Sequence, residues 1–286
     1  MRFYEQYEWL PEGQITPLKP GPCYKTEVFT ARCLVNGNDC IVKHHIIDPE
    51  EGDARRGLGG VNSYVNQLLG EVKALEKCRS NPYVVQLIDY EFCLDGCPEI
   101  FIILEKASGI TLKDYLLAHG SMTRVQFTAF MKHFIEAIGS IHKNGIIHRD
   151  LSYTNIFVTE ELGRLQIIDF GLAYQTNFGI RHRYALTPFF APPESVNQVL
   201  KRVGPVFDMY SVGVIMYFIL SGQFPYPMER MKTPDEEAYF TPLTREDIPL
   251  SIRDFIRRCL RYASADRPKS IVEIKSEIYR MSKEER

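Results

Sequence analysis

The architecture of the chain is indicated by the eight residues His148-Arg-Asp-Leu-Ser-Tyr-Thr-Asn155, which apolar residues flank on both sides. A polar stretch between apolar segments predicts a tight loop, and this loop holds Asp150 and Asn155 five residues apart. A second polar motif, Asp169-Phe170-Gly171, begins fourteen residues after Asn155. These two motifs predict where the chemistry of the chain is carried.

Together the motifs resemble the catalytic loop and the metal-binding motif of the protein kinase family, H-R-D-x-x-x-x-N and D-F-G. The resemblance extends over roughly residues 14–275. It implies an α+β, bilobal protein kinase fold with a small antiparallel-sheet N-lobe, about 14–105, that includes one main helix. A larger, mainly helical C-lobe would span about 108–275, with short flanks at 1–13 and 276–286.

The resemblance implies an ATP-dependent enzyme that transfers the γ-phosphoryl group to serine or threonine hydroxyls of a protein substrate. Such a transfer requires charge neutralisation around the phosphates and an acceptor hydroxyl aimed in line. By resemblance, Asp150 orients that hydroxyl and accepts its proton, and His148 and Arg149 brace the loop. Asn155 and Asp169 supply hard oxygen ligands suited to Mg²⁺.

Lys43 lies in the strand-like segment Ile41-Val-Lys43, and its ammonium would bind the α- and β-phosphates if a carboxylate held it in place. Glu71 is the expected partner, because it precedes the inward-facing Leu75 by four residues on a predicted helix, as the paired glutamate of the family does. Glu76 is the alternative partner, and its helical phase predicts that it faces solvent.

The phosphate-covering loop departs from the family pattern G-x-G-x-x-G-x-V, because the chain reads Gly21-Pro-Cys23-Tyr-Lys-Thr26-Glu-Val28. Its register is retained, since Val28 stands fifteen residues before Lys43. Cys23 and Thr26 replace glycines and restrict the backbone from positive φ and from close approach to phosphate. We therefore expect a stiffer cover and weaker ATP binding than is usual in the family.

The resemblance also implies an adenine pocket. The base would contact the backbone of Glu105 and Ala107, with Leu104 at the back of the pocket. Its walls would be Val28, Ile41 and Phe157. Ile41 and Phe157 are larger than the family's usual residues at these positions, so the pocket is expected to be narrow. The same apolar residues are also expected to belong to the hydrophobic core.

Ser152 takes the position at which serine/threonine kinases commonly carry a lysine near the γ-phosphate. The loss of one oriented donor typically costs about a hundredfold or more in rate, and Arg181 or Arg183 could replace the missing cation. Phe218 and Thr154 stand where related kinases that select basic substrates carry glutamates. A preference for arginine upstream of the phosphorylated residue is therefore not expected.

An activation segment would run from Asp169 to Glu194, and its end resembles the family's T-P-x-Y-x-A-P-E. Thr187 is the serine/threonine-type residue of this motif, and its hydroxyl is expected to bond Asp150. Glu194 would form a bidentate ion pair with Arg267, and Asp208 would anchor the catalytic loop.

Composition excludes several other classes of protein. The 34 basic and 36 acidic residues leave a formal charge of -2, so nucleic acid and anionic membranes are not expected partners. The seven cysteines are scattered without a C-x-x-C pair, which favours a reducing, cytoplasmic setting over a disulfide framework. Cys93 and Cys97 form only a weak metal half-site.

Hydrophobic periodicity and turn residues predict the order of the secondary-structure elements. Strands are expected within 14–43, 84–92 and 100–104, and a helix near Asn62 or Ser63 follows a long loop. Further helices are expected around 125–141, 208–220 and 251–260. The loop at 48–61 is expected to contact a regulator or to move with the helix that carries Glu71, and a passive tether is the alternative.

Two other functions stay open at this stage. The altered glycine loop and Ser152 are also compatible with a pseudokinase or scaffold with weak or no turnover. Relatives with the same catalytic loop include kinases for small hydroxyl metabolites. Against the latter, the complete segment 187–194, together with Asp208 and Arg267, favours a polypeptide substrate.

Overall fold

A computed structural model of the chain describes residues 6–20, 24–47, 61–93, 98–175, 187, 189–196, 203–227 and 241–284. The chain divides into two compact units. The first comprises Met1–Asn81 and Val85–Ala107, and the second comprises Pro82–Val84 and Ser108–Arg286.

The first unit is built on a five-stranded antiparallel sheet with the strand order β1-β2-β3-β5-β4. Its strands are β1 (Tyr7–Pro20), β2 (Tyr24–Cys33), β3 (Asp39–Ile47), β4 (Leu87–Cys93) and β5 (Glu99–Glu105). Helix α1 (Val61–Lys77) belongs to the same unit. One cluster of the unit's core contains Tyr7, Ala31, Cys33, Cys40, Val42, Phe101 and Ile103.

Side-chain burial shows how the strands of this sheet pack on the core. Strand β5 is almost entirely buried because its central residues are all apolar. In β3, Cys40 and Val42 face the core, whereas Lys43 projects from the opposite face. Strand β4 begins at Leu87, three residues later than the predicted start at Val84. Val84 belongs to the second unit, where it forms a parallel bridge with Ile167.

The second unit is mainly helical. Its helices are α2 (Leu112–His119), α3 (Arg124–Lys143), α4 (Pro193–Val196), α5 (Pro205–Ser221), α6 (Leu250–Cys259) and α7 (Lys275–Glu284). Short strands form two small sheets, one of β7 (Ile146–Ile147) with β10 (Tyr174–Gln175), and one of β6 (Ile110–Thr111), β8 (Ile156–Val158) and β9 (Leu165–Ile167). The helices predicted around 125–141, 208–220 and 251–260 are confirmed as α3, α5 and α6.

Helix ends in this unit are set by local sequence. Helix α3 begins with a capping box, in which Thr123 accepts from the backbone N–H of Gln126 and the Gln126 side chain contacts the Thr123 backbone N–H. Helix α5 ends at Gly222, whose positive φ of 72° closes the last turn.

Helix α5 is apolar around most of its circumference and is almost completely buried. It packs closely on helix α6 at Gly213, where an added Cβ would lie 2.5 Å from the Cβ of Cys259. This packing places the one acidic residue of α5, Asp208, in the interior of the unit beside the polar loop that follows β7. Within the described residues, no helix combines the length and apolar character needed to cross a membrane.

Candidate active site

Hydrogen bonds to helix α5 hold the beginning of the loop from His148 to Asn155. The carboxylate of Asp208 accepts from the backbone N–H groups of His148 and Arg149, each at 2.8 Å, and its Oδ2 lies 2.8 Å from Nε2 of His142 on α3. Arg149 has a positive φ of 66°, which a side-chain-bearing residue rarely adopts. The two backbone hydrogen bonds to Asp208 hold this conformation in place.

The environment of Asp208 keeps its carboxylate ionised although it is fully buried. Burial alone would raise the pKa of this carboxyl, but the hydrogen bond and charge of His142, the charge of His148 and the N–H of Arg149 hold the pKa below its usual value. The predicted anchoring of the loop by Asp208 is confirmed. Sequence reasoning missed His142, although the signal existed: His142 stands four residues after the buried Ile138, on the apolar face of α3.

Asp150 lies at the centre of a hydrogen-bonded group. Asn155 donates from Nδ2 to the Asp150 carboxylate at 3.0 Å and to the Asp150 carbonyl at 2.9 Å. The hydroxyl of Thr187 donates to the other carboxylate oxygen of Asp150 in a short hydrogen bond. The predicted contact between Thr187 and Asp150 is therefore present, and the activation segment reaches the loop at this residue.

The pKa of Asp150 is raised. Burial is the main cause and the nearby negative charge of Asp169 adds to it, whereas the hydrogen bonds from Thr187 and Asn155 and the charge of His148 act in the opposite direction. A carboxylate in this environment binds a proton more tightly than an exposed aspartate does, which suits the predicted role of proton acceptor.

The Asp169-Phe170-Gly171 motif is ordered by contacts on both of its sides. Asp169 has a positive φ of 63°, and the N–H of Gly171 donates to its Oδ1 at 3.3 Å. Phe170 is completely buried and packs edge-on against His148, with ring centroids 4.8 Å apart. His148 Nε2 also lies 3.1 Å from the carbonyl oxygen of Ile168, which links the motif to the loop.

Asp169 and Asn155 fit a magnesium ion by the chemistry of their donors. Both offer hard oxygen atoms, and the amide nitrogen of Asn155 is turned towards Asp150. Among the residues that the structure describes, no cluster of three or more His, Cys, Asp and Glu side chains could hold a metal ion. Asn155 and Asp169 would be two protein ligands, and Mg²⁺ is usually bound by one or two carboxylates together with water and phosphate oxygens.

In the first unit, Lys43 and Glu71 form a close ion pair. Lys43 Nζ donates to Glu71 Oε1 at 2.6 Å, and the side chains are only 15% and 2% exposed. Glu71 rather than the alternative Glu76 faces Lys43, and Glu76 is exposed. Val28, which stands fifteen residues before Lys43 as in the family pattern, is the cross-strand neighbour of Lys43 in the β2–β3 hairpin.

The predicted adenine-pocket residues are divided between the two units. Leu104 is buried at the end of β5, Ile41 is its cross-strand neighbour on β3, and Glu105 and Ala107 are half-buried. Phe157 is half-buried on β8 of the second unit. The predicted pocket residues Gly21 and Cys23 lie outside the described residues, as do residues 48–60 of the predicted regulator loop and the residues Arg181 and Arg183.

The end of the activation segment is held by a buried ion pair. Arg267 has a completely buried side chain and donates from Nη1 and Nη2 to the two carboxylate oxygens of Glu194, each at 2.7 Å. Arg267 also donates to the carbonyl oxygens of Val206, Arg261 and Tyr262. The predicted bidentate pair is confirmed.

A family model described as a protein kinase domain matches residues 29–279 of the chain. The chain belongs to the protein kinase family. The predicted α+β, bilobal kinase fold, with its sheet-based first unit and helical second unit, is thereby confirmed.

The names of curated relatives include a calcium/calmodulin-dependent protein kinase, a serine/threonine-protein kinase and a death-associated protein kinase. The chain is 34% identical over 161 residues to calcium/calmodulin-dependent protein kinase type 1 of Caenorhabditis elegans, covering 56% of this chain and 44% of the relative. It is 29% identical over 173 residues to the serine/threonine-protein kinase ppk25 of Schizosaccharomyces pombe, covering 58% and 40%. It is 35% identical over 158 residues to the death-associated protein kinase dapk-1 of Caenorhabditis elegans, covering 54% and 11%. The matched region thus spans less than half the length of each of these relatives.

The kinase departs from its family in the residues around Asp150. Ser152, which stands in place of the usual lysine, is buried. Its hydroxyl lies 2.7 Å from the hydroxyl of Thr154, with which it forms a local hydrogen bond. Tyr153 stacks on Phe218 with ring centroids 5.4 Å apart, and Phe224 lies close to both rings. Sequence reasoning missed this aromatic cluster, because stacking between distant segments leaves no periodic signal.

Proposed function

We propose that the chain is an ATP-dependent protein kinase that transfers the γ-phosphoryl group to serine or threonine hydroxyls of protein substrates. The observation that carries this proposal is the hydrogen-bonded group at Asp150, which accepts from Thr187 on one carboxylate oxygen and from Asn155 on the other. A pseudokinase released from the demands of catalysis has no need to keep this arrangement. The names of the relatives support the same reaction.

In this proposal Asp150 orients the substrate hydroxyl and accepts its proton as the oxygen attacks the γ-phosphorus. The raised pKa of Asp150 strengthens it as a base, while the donors Thr187 and Asn155 fix the direction of its carboxylate. The positive φ of Arg149 and the two backbone hydrogen bonds to Asp208 prevent the loop from relaxing.

Asn155 and Asp169 are the proposed ligands of Mg²⁺, which neutralises charge on the triphosphate when it is bound. Lys43, held by Glu71, is proposed to bind the α- and β-phosphates. The other proposed nucleotide contacts are Gly21, Cys23, Val28, Ile41, Leu104, Glu105, Ala107 and Phe157.

The acceptor is proposed to be serine or threonine, because the Thr187 hydroxyl occupies the position that tyrosine kinases usually fill with proline. Phe218 and Thr154 stand where related kinases that select basic substrates carry glutamates, so arginine upstream of the acceptor is not expected to be required. A regulator that binds loop 48–61 and a cytoplasmic location stay predictions.

The proposal is tested by incubating the full chain with γ-labelled ATP, magnesium and casein, and by comparing it with the Lys43→Met variant. We expect label in casein with the unaltered chain and about a hundredfold less with Lys43→Met, because the triphosphate loses its oriented cation. Equal label with both proteins would refute the proposal of an enzyme and favour the alternative of a pseudokinase or scaffold. Label transferred to small hydroxyl compounds but never to casein would favour a metabolite kinase.

The pH dependence of the reaction provides a separate prediction. The hydrogen bond from Thr187 lowers the pKa of Asp150, so removing the hydroxyl in Thr187→Val is expected to raise that pKa further. The acidic limb of the kcat/KM profile should then move to higher pH, with the loss of activity concentrated on the acidic side. Thr187→Ser keeps a hydroxyl and should leave the limb in place. A limb that stays fixed in Thr187→Val would mean that Asp150 does not control it.

A further inference from the structure

A second polar contact joins helix α1 to the sheet, separate from the ion pair of Glu71. The hydroxyls of Thr26 and Tyr64 lie 2.9 Å and 2.8 Å from Nδ1 of His45. These two hydroxyls are 3.2 Å from each other, so the three groups close a triangle. His45 and Tyr64 are buried, at 5% and 8% exposure, and their rings meet edge to face.

The register of the sheet places this triangle beside the ion pair. Thr26 is the cross-strand neighbour of His45, and Val28 is the cross-strand neighbour of Lys43. Side chains two residues apart on a strand lie on the same face of the sheet. Lys43 and His45 therefore both project from the face that meets helix α1.

The two residues of helix α1 that make these contacts, Tyr64 and Glu71, also lie on one face. Tyr64 and Glu71 are seven residues apart on α1, which is close to two full turns and puts both on one face. The helical rise separates them by about 10 Å. A helix tied to a strand at one point can still swing about that point, whereas a second tie at this distance fixes its direction.

The contacts of Thr26 also explain why a threonine stands at the position of a family glycine. The family pattern places its third glycine at this position, and a glycine could not bond His45 or Tyr64. The threonine side chain joins strand β2, strand β3 and helix α1 at a single point.

We propose that Thr26, His45 and Tyr64 form a latch, here named the α1 latch, that holds helix α1 in the orientation in which Glu71 pairs with Lys43. Tyr64 is then a positioning residue for phosphoryl transfer, acting through Glu71 without touching the substrate. This role in catalysis rests on the proposed function, whereas the effect of the latch on the ion pair does not.

The first test measures the helix and the ion pair without any substrate. Tyr64→Phe and Thr26→Val each remove a hydroxyl and keep the shape of the side chain, and Tyr90→Phe is the matched control because Tyr90 is exposed on β4 of the same unit. We expect amide hydrogen exchange in α1 to be about tenfold faster in both latch variants. Acetylation of Lys43 by acetic anhydride should also accelerate, relative to the exposed Lys106, because a loosened ion pair leaves the amine more reactive.

The second test measures catalysis. We expect kcat to fall about tenfold in Tyr64→Phe while the KM for casein stays unchanged, because the latch acts on Lys43 and Glu71 and not on substrate binding. In a Glu71→Gln background, Tyr64→Phe should cause no further loss, because both changes act on the same ion pair.

The two tests separate the failure of the latch from the failure of the proposed function. Exchange and acetylation rates equal to those of Tyr90→Phe would overturn the latch, whether or not the chain transfers phosphate. Faster exchange with unchanged kcat, or a full tenfold loss in the Glu71→Gln background, would overturn its positioning role. If the unaltered chain has no activity but Lys43 is acetylated faster in Tyr64→Phe, the proposed kinase activity is refuted and the α1 latch is supported.

Discussion

Replacing Asp150 with asparagine is expected to lower kcat about a thousandfold, since a positioned general base typically contributes 10²- to 10⁴-fold. Asparagine has nearly the shape of aspartate, so the hydroxyl of Thr187 keeps an oxygen acceptor. The amide cannot accept the proton of the substrate hydroxyl, however, and its NH₂ group would oppose the Asn155 donor. The KM for ATP should change little, because Asp150 is not among the proposed nucleotide contacts.

The measurement is the initial rate of γ-label transfer to casein under saturating ATP. Asp254→Asn is a suitable control, because this aspartate is 51% exposed on helix α6 and the substitution makes the same chemical change there. Circular dichroism should show that both variants are folded at the temperature of the assay. A rate for Asp150→Asn within tenfold of the Asp254→Asn rate would show that Asp150 is not the proton acceptor.

Replacing Arg267 with methionine is expected to lower the free energy of unfolding by about 3–5 kcal/mol, the usual cost of breaking one side of a buried ion pair. The Arg267 guanidinium is completely buried and donates to both carboxylate oxygens of Glu194. It also lies over the ring of Tyr210, 5.0 Å from the centroid. Methionine fills part of the volume but leaves Glu194 and three backbone carbonyls without this donor.

Urea unfolding followed by circular dichroism of the helices, most of which lie in the second unit with Arg267, measures this loss. Arg257→Met is the matched control, because Arg257 is 53% exposed and forms an ion pair with Asp254 at 3.6 Å. Exposed ion pairs contribute little, so the control should unfold close to the unaltered chain. If Arg267→Met loses no more stability than Arg257→Met, the Arg267–Glu194 pair does not fix the end of the activation segment.

Sequence reasoning succeeded where chemistry or periodicity determines a position. Helical phase distinguishes Glu71 from Glu76, because the two residues face different sides of α1. The spacing from Val28 to Lys43 matches the one that the family resemblance requires, and the structure makes the two residues cross-strand neighbours. Helical phase is local geometry, which a sequence encodes directly.

Contacts between distant segments were harder to predict. The apolar face of α3 predicts that His142 points inward, but only the fold shows that it meets Asp208 on helix α5. Thr26 was expected only to stiffen a loop, whereas it bonds a histidine on the next strand and a tyrosine on α1. A pattern can predict which face of an element is buried, but the partner on that face depends on the tertiary arrangement.

The close packing at Gly213 ties the chemistry of this kinase to a residue remote from its loops. Cβ atoms cannot approach to 2.5 Å, so even an alanine at this position would force helices α5 and α6 apart. Asp208 lies five residues earlier on α5 and would move with it, carrying the backbone that Asp208 holds at His148 and Arg149. A single methyl group added at this one position would therefore be transmitted through Asp208 to the loop that carries Asp150, the proposed proton acceptor.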